Sequence, residues 1–258
     1  MAAPLMLFSL PCAGASAAMY LRWRRRLPSW MQVEPVELPG RASRLHETPR
    51  ENFDALAADL CKELEKRLAK PLARPERYAL FGHSMGGLLA YRVAHGLRAA
   101  GRQLPAALLV SACAAPTRQD WRRYADKKTD ASLIAELRRQ NGTPEEVFGN
   151  AELLSMTLDL LGADYRVCAS FRHQDSLPLT MPIHVFGGRA DEIQAAGLEA
   201  WQREGTGTFS LDWFDGGHFF IRQNEDAFLS VLAKRLADSA GESPYPSRHA
   251  SHAAPASA

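Results

Sequence analysis

Residues 78–87 read Tyr78-Ala-Leu-Phe-Gly-His-Ser-Met-Gly-Gly87, and an apolar run with helical spacing, residues 88–97, follows directly. This pattern predicts a short buried strand, a Gly-x-Ser-x-Gly turn and a helix, which together form a nucleophile elbow. So tight a turn holds the serine in a strained backbone conformation, and side chains at Gly82 and Gly86 would collide with neighbouring elements. We therefore expect the Ser84 hydroxyl to stand clear of a sheet edge, with the N-terminus of the next helix facing a developing oxyanion.

The length and composition favour one globular domain of ordinary size. The chain has 258 residues, of which 46% are hydrophobic and 23% charged, and this is typical of a globular domain in water. The net charge is only +2, and no basic stripe with interleaved aromatic residues is present, so nucleic-acid binding is not expected. No apolar run approaches the ~20 residues that a membrane-spanning helix needs.

The cysteine pattern favours free thiols in a reducing compartment. The four cysteines are widely spaced, without a Cys-x-x-Cys pair or a histidine at metal-ligand spacing, so neither a disulfide framework nor a metal site is predicted. The first 17 residues resemble a signal peptide only weakly, because they lack a positive leading segment and their apolar run, residues 5–10, is too short. We expect a cytoplasmic protein.

Strand and helix patterns alternate along most of the chain, which predicts a mostly parallel central sheet flanked by helices, an α/β fold. A capping box, Thr48-Pro49-Arg50-Glu51, precedes the second predicted helix. The predicted strands cover residues 5–10, 33–38, 78–81, 107–112, 181–188 and 209–214, and the predicted helices cover residues 16–27, 53–68, 88–97, 193–203 and 225–236.

The alternation breaks down over residues 116–178, where charge-rich helical segments occur without a convincing strand. We expect a helical lid inserted over the carboxyl edge of the sheet within a single domain, residues 1–238. Residues 239–258 have almost nothing to bury and are expected to form a disordered tail. The apolar residues of the insertion could line an acyl pocket or form the lid's own core: Leu153, Leu154, Met156, Leu158, Leu160 and Leu161.

A serine nucleophile needs a base, and the base needs an orienting acid. Asp191 follows the strand of residues 181–188, and His218 lies in Gly216-Gly-His-Phe-Phe220 after the last strand. The chain order serine, acid, histidine is the order found in hydrolases with a nucleophile elbow. We predict Ser84 as nucleophile, His218 as base and Asp191 as its orienting acid. The alternatives for the acid are Glu192, Asp159, Asp164 and Asp215.

Two backbone N–H groups should form the oxyanion hole. One is that of Met85, directly after the nucleophile, and the other belongs to the loop after the first strand, with Ala13 the best candidate by position. His83 is expected to support the turn rather than to act as base, because it points away when its neighbour Ser84 points outward.

Six motifs, in order over residues 5–237, resemble the type II thioesterases that accompany nonribosomal peptide and polyketide synthases and share the α/β-hydrolase fold. This resemblance implies hydrolysis of acyl thioesters on the phosphopantetheine arm of carrier proteins, siderophore synthesis included, with no cofactor beyond the one the substrate carries. It implies the roles given above for Ser84, Asp191, His218, Met85 and Ala13, and a mobile lid. The motifs are Leu7-Phe-Ser-Leu-Pro-Cys-Ala-Gly-Ala-Ser16, Leu38-Pro-Gly-Arg-Ala-Ser-Arg44, Phe81-Gly-His-Ser-Met-Gly-Gly87, Leu161-Gly-Ala-Asp-Tyr165, Val185-Phe-Gly-Gly-Arg-Ala-Asp191 and Gly216-Gly-His-Phe-Phe220.

The chain departs from the family pattern at two positions: Cys12 replaces the usual histidine, and Ala15 the second of two glycines. An alanine at position 15 would narrow the freedom of the loop. Two other functions share the fold: a general carboxylesterase or acyl-CoA thioesterase, which would not depend on a carrier, and a non-catalytic binding scaffold, which would not need an intact trio. We expect a monomer.

A basic cluster could bind an acidic carrier protein or could simply be a solvated surface, which we prefer. It comprises Arg22, Arg24, Arg25, Arg26, Arg122, Arg123, Lys127 and Lys128.

Overall fold

The computed structural model describes residues 4–69 and 77–239. Within them lie six strands and nine α-helices, joined by short loops and 3-10 turns. All but the first residue of the expected disordered tail lie outside the described residues. In chain order the elements are β1 (Leu5–Leu10), β2 (Met31–Pro35), α1 (Phe53–Leu68), β3 (Arg77–His83), α2 (Met85–Ala99), β4 (Leu108–Ser111), α3 (Arg122–Ala125), α4 (Asp130–Gln140), α5 (Glu145–Phe148), α6 (Ala151–Ser170), β5 (Ile183–Gly188), α7 (Ala195–Glu199), β6 (Phe209–Phe214), α8 (Phe220–Gln223) and α9 (Glu225–Ser239).

The strands form one parallel sheet in the order β2-β1-β3-β4-β5-β6. From β1 the chain moves first to β2 on one side and then to β3 on the other, so the strand order reverses between β1 and β3. In an open parallel sheet, ligands bind beyond the carboxyl ends of the strands at such a switch point. The topology therefore places the end of β3, where the elbow serine lies, at the expected site.

Both faces of the sheet are covered by helices. Helices α1 and α2 bury one face together with the end of α6, and the 3-10 helix Ala17–Arg25 and α9 bury the other. The central strands are buried along their whole length, β4 at all four residues and β5 at all six, as expected for a sheet covered on two sides. The α/β prediction is confirmed.

Several predicted boundaries were wrong. The second strand spans Met31–Pro35 rather than residues 33–38, and the first predicted helix is a 3-10 helix. Helix α1 begins at Phe53, where the Asn52 side chain accepts the Ala55 N–H at 3.0 Å. The predicted capping box four residues earlier is therefore not the helix start, since an asparagine makes an equally good N-cap.

The segment between β4 and β5 is helical throughout its regular structure, as predicted. Helices α4 and α6 enclose a small core of their own that contains Leu133, Leu137, Leu158, Leu161 and Tyr165. Among the described residues, no helix is both long and apolar enough to cross a bilayer.

Strand β5 contains a buried histidine, His184, and we expect it to make the free energy of unfolding fall in acid. His184 accepts or donates hydrogen bonds at 2.7 Å to Ser210 and Ser239, and burial lowers its pKa to about 4. The unfolded chain takes up this proton near pH 6.5. Between about pH 6.5 and 4 the unfolded chain therefore holds a proton on this histidine that the folded chain does not. The free energy of unfolding is unaffected by this group above pH 6.5, and it falls by about 1.4 kcal/mol per pH unit as the pH drops towards 4.

We expect His184→Gln to reduce the slope of unfolding free energy against pH by about that amount between pH 4.5 and 6. Urea unfolding at several pH values measures the slope, and His46→Gln, at an exposed position, is the control. An unchanged slope in His184→Gln would contradict this explanation.

Candidate active site

The elbow is built as the sequence predicts. Ser84 has φ 54° and ψ −121°, a strained conformation for a residue with a side chain. Its N–H donates to the Ser111 carbonyl at 2.8 Å, which fixes the turn against β4. A Cβ at Gly82 would clash with the Gly86 carbonyl, and one at Gly86 would clash with the Leu10 carbonyl. The glycines therefore allow β3, α2 and the end of β1 to meet at the nucleophile.

Asp191 and His218 lie on the loops that follow two neighbouring strands, β5 and β6. His218 Nδ1 lies 3.0 Å from Asp191 Oδ2, and both side chains are largely buried, 10% and 6% exposed. The Ala190 N–H donates to the Gly216 carbonyl at 2.9 Å, which ties the two loops together. Because a carboxylate accepts from Nδ1–H, the geometry leaves Nε2 as the free basic nitrogen.

The histidine reaches back across β4 and β5 to the elbow. Its ring centre lies 5.2 Å from that of His83, the residue before the nucleophile. Ser84, Met85 and His218 line one cavity of about 460 Å³. The structure thus brings together the three residues that the sequence predicts as a trio.

The other candidate acids are engaged elsewhere. Glu192 forms an ion pair with Arg139, Asp164 pairs with Arg41, and Asp215 lies 3.4 Å from Arg189. Asp159 is exposed on α6. The geometry therefore favours Asp191 as the partner of His218.

The loop after β1 surrounds the predicted second oxyanion donor. We call residues 11–16 the oxyanion loop. Within it, the Gly14 N–H donates to Asp164 Oδ2 at 2.7 Å and the Ala15 N–H donates to the Cys12 carbonyl at 3.2 Å. Across residues 4–69 and 77–239, the N–H groups of Ala13 and Met85 have no acceptor. They are the two groups predicted to receive the oxyanion.

The two departures from the family pattern do not disturb this loop. Gly14 has φ +72°, whereas Ala15 is not among the residues with positive φ, so an alanine there is not strained. Cys12 is buried, and burial raises the pKa of its thiol to about 11.

His83 supports the turn, as expected from its position. It is fully buried, its Nδ1 lies 3.0 Å from Ser111 Oγ, and its ring packs on Phe219 at 5.3 Å. Burial, with the charges of His218 and Arg222, lowers its pKa well below the usual value. His83 is therefore neutral at physiological pH and presents an uncharged surface to the ring of His218.

Two cysteines also line the cavity and must be weighed as nucleophiles. Burial raises the pKa of Cys113 to about 12 and that of Cys168 well above its usual value. Since the thiolate is the nucleophilic form, neither is reactive near neutral pH. Of the side chains that line the cavity, the Ser84 hydroxyl is therefore the favoured candidate nucleophile.

Of the two alternatives for the apolar residues of the insertion, the structure favours the lid's own core over the lining of the cavity. None of the six apolar residues of the insertion named above lines the cavity; Leu158 and Leu161 belong to the helical core, and Leu153 and Met156 are exposed. Sequence reasoning missed the true wall, although the aromatic pair in residues 121–124 was a usable signal. The apolar lining includes Leu88, Trp121, Tyr124, Phe171 and Ile193.

Four of the eight residues of the predicted basic cluster form ion pairs within the described part of the chain. Arg22 and Arg26 both contact Glu225, and Lys127 contacts Glu136. Arg123 lines the cavity and stacks on the Tyr124 ring at 5.1 Å. The exposure of Arg22, Arg24 and Arg26 favours the preferred interpretation of a solvated surface for that part of the cluster.

Comparison with known proteins gives consistent matches over the whole domain. Residues 6–236 match the family described as a thioesterase domain. The chain is 33% identical over 240 residues to the gramicidin S biosynthesis protein GrsT of Aneurinibacillus migulanus, covering 91% of this chain and 90% of that one.

Solved structures agree in fold. RedJ, a thioesterase from the prodiginine pathway of Streptomyces coelicolor, is 36% identical with a TM-score of 0.82, covering 90% of this chain and 91% of that one. YbtT, a type II thioesterase from the yersiniabactin pathway, is 28% identical with a TM-score of 0.77, covering 92% and 94%.

Proposed function

Because this chain belongs to the thioesterase family, we propose that it is a type II, editing thioesterase of nonribosomal peptide or polyketide biosynthesis. It is a hydrolase that acts on thioesters. Its substrates are acyl groups on the phosphopantetheine arm of carrier proteins, and its partners are those carrier domains. The observation that carries the proposal is the cavity shared by the elbow serine and a histidine already paired with a carboxylate.

The reaction follows from the geometry. Ser84 Oγ attacks the thioester carbonyl while its proton passes to His218 Nε2, and Asp191 stabilises the imidazolium that forms. The N–H groups of Met85 and Ala13 bind the oxyanion. The intermediate collapses by breaking the C–S bond, and His218 returns the proton to the departing thiolate. Water then attacks the acyl-serine with His218 again as base, which releases the acid and restores Ser84.

A thioester is well suited to this site. Its thiolate leaves with little protonation, so the demanding tasks are serine activation and oxyanion stabilisation, which this trio and loop perform. The aromatic and aliphatic wall of the cavity would bury the acyl chain. No cofactor is proposed beyond the phosphopantetheine that the substrate carries. The four thiols are free, which supports a cytoplasmic site of action.

The test compares one acyl group in three settings: on holo carrier protein, on coenzyme A, and as a p-nitrophenyl ester. We expect kcat/KM to be highest for the carrier-bound form and to depend on Ser84 in all three. Equal or faster turnover of the free esters would instead indicate a general esterase or acyl-CoA thioesterase. Absence of Ser84-dependent turnover of any substrate would indicate a binding scaffold.

A further inference from the structure

A buried ion pair joins two motifs that the chemistry above does not use. Arg41 follows the Pro39-Gly40 turn, and Asp164 lies on α6. The guanidinium binds the carboxylate through both nitrogens, each N–O distance being 2.7 Å, and the side chains are only 5% and 2% exposed. Such a planar, two-point contact fixes orientation as well as distance.

The same pair also holds the backbone of the oxyanion loop. Asp164 Oδ2 accepts the Gly14 N–H at 2.7 Å, and Arg41 donates to the Ala15 carbonyl at 3.0 Å. The two residues therefore bind the peptide unit that joins Ala13 to Gly14, through its N–H, and the unit that follows Ala15, through its carbonyl. Gly14 also packs closely on Leu161 of α6.

We propose that Asp164 and Arg41 are positioning residues that hold the oxyanion loop so that the Ala13 N–H points into the active site. This inference rests on the proposed function of the site. The two groups do not touch the reacting atoms; they act through the loop. The contacts also attach the middle of α6 to the oxyanion loop. If part of the predicted lid moves, this turn of α6 is not part of it.

Stability alone gives a weak reason for such a pair. Replacing a buried ion pair by apolar residues of similar volume is often neutral or stabilising, whereas removing one partner leaves an uncompensated buried charge. An apolar pair could therefore fill this space and keep the fold. It could not accept the Gly14 N–H or donate to the Ala15 carbonyl, and these two bonds distinguish a positioning role from a structural one.

The test is the double variant Arg41→Met with Asp164→Leu, beside the conservative Asp164→Asn. We expect the double variant to melt near the native temperature while kcat for acyl-carrier hydrolysis falls about 100-fold, the effect of a displaced oxyanion donor. KM should change little. The matched control is Arg235→Met with Asp212→Leu, which removes another two-point pair, at 2.8 and 2.6 Å, between α9 and β6.

A second readout does not depend on turnover. An alkyl boronic acid forms a tetrahedral adduct on the nucleophilic serine and needs the oxyanion hole, so its affinity should fall about 100-fold in the double variant. It should fall less in Asp164→Asn, whose amide oxygen can still accept the Gly14 N–H. Native kcat and native boronate affinity in a folded double variant would overturn the proposal. If the native protein does not hydrolyse acyl-carrier substrates at all, the proposed function is wrong. Boronate affinity would still decide the role of the ion pair in that case.

Discussion

We expect Ser84→Ala to lower kcat for acyl-carrier hydrolysis by roughly 10⁴-fold or more, because it removes the atom that would form the acyl-enzyme. The fold should be retained, since alanine can occupy the same strained turn, with φ 54°, as the native serine. The rate at which the carrier thiol is released, followed continuously or at fixed times, measures the loss of kcat. Circular dichroism checks that the variant is folded.

Ser43→Ala is the control, because Ser43 is exposed and does not line the cavity. It should leave thiol release at the native rate. Turnover by Ser84→Ala within about tenfold of native would mean that another group performs the attack, and the mechanism proposed above would be wrong.

Asp191→Asn has the second largest expected effect. An amide can donate to His218 Nδ1 and so favour the tautomer that places the proton on Nε2, where the serine proton must go. It also removes the charge that stabilises the imidazolium, so kcat should fall by roughly 10⁴-fold at neutral pH. The measurement is kcat against pH for the purified variant.

Asp215→Asn provides the matched control. Asp215 is the neighbouring acid in the His218 loop, but its side chain is 89% exposed and faces Arg189. This substitution should leave kcat close to native. A large loss in Asp215→Asn together with near-native Asp191→Asn would reassign the orienting acid.

The sequence motifs predicted the parts of this molecule that depend on local pattern. The elbow at Ser84, each of the six strands and the motifs around Asp191 and His218 are short contiguous stretches of sequence. The structure brings the ends of these stretches together at one edge of the sheet. The resemblance to type II thioesterases is confirmed by the family match and by the relatives.

What the pattern could not predict depends on contacts between distant segments. Arg41 and Asp164 are 123 residues apart in sequence, and local pattern places them in two separate motifs without indicating that they pair. The choice between an acyl pocket and the lid's own core stayed open for the same reason, because a leucine on an amphipathic helix can face either its own core or a ligand. Only packing decides which, as for Leu161, which joins the helical core.

The role of Ser84 as nucleophile is tested most directly by finding which residue carries the acyl group during turnover. Native protein is mixed with acyl-loaded carrier protein, quenched within milliseconds and digested for mass spectrometry. We expect an acyl adduct on the peptide that contains Ser84, and no such adduct in Ser84→Ala. An adduct on Cys113 or Cys168, or native hydrolysis by Ser84→Ala without any adduct, would contradict it.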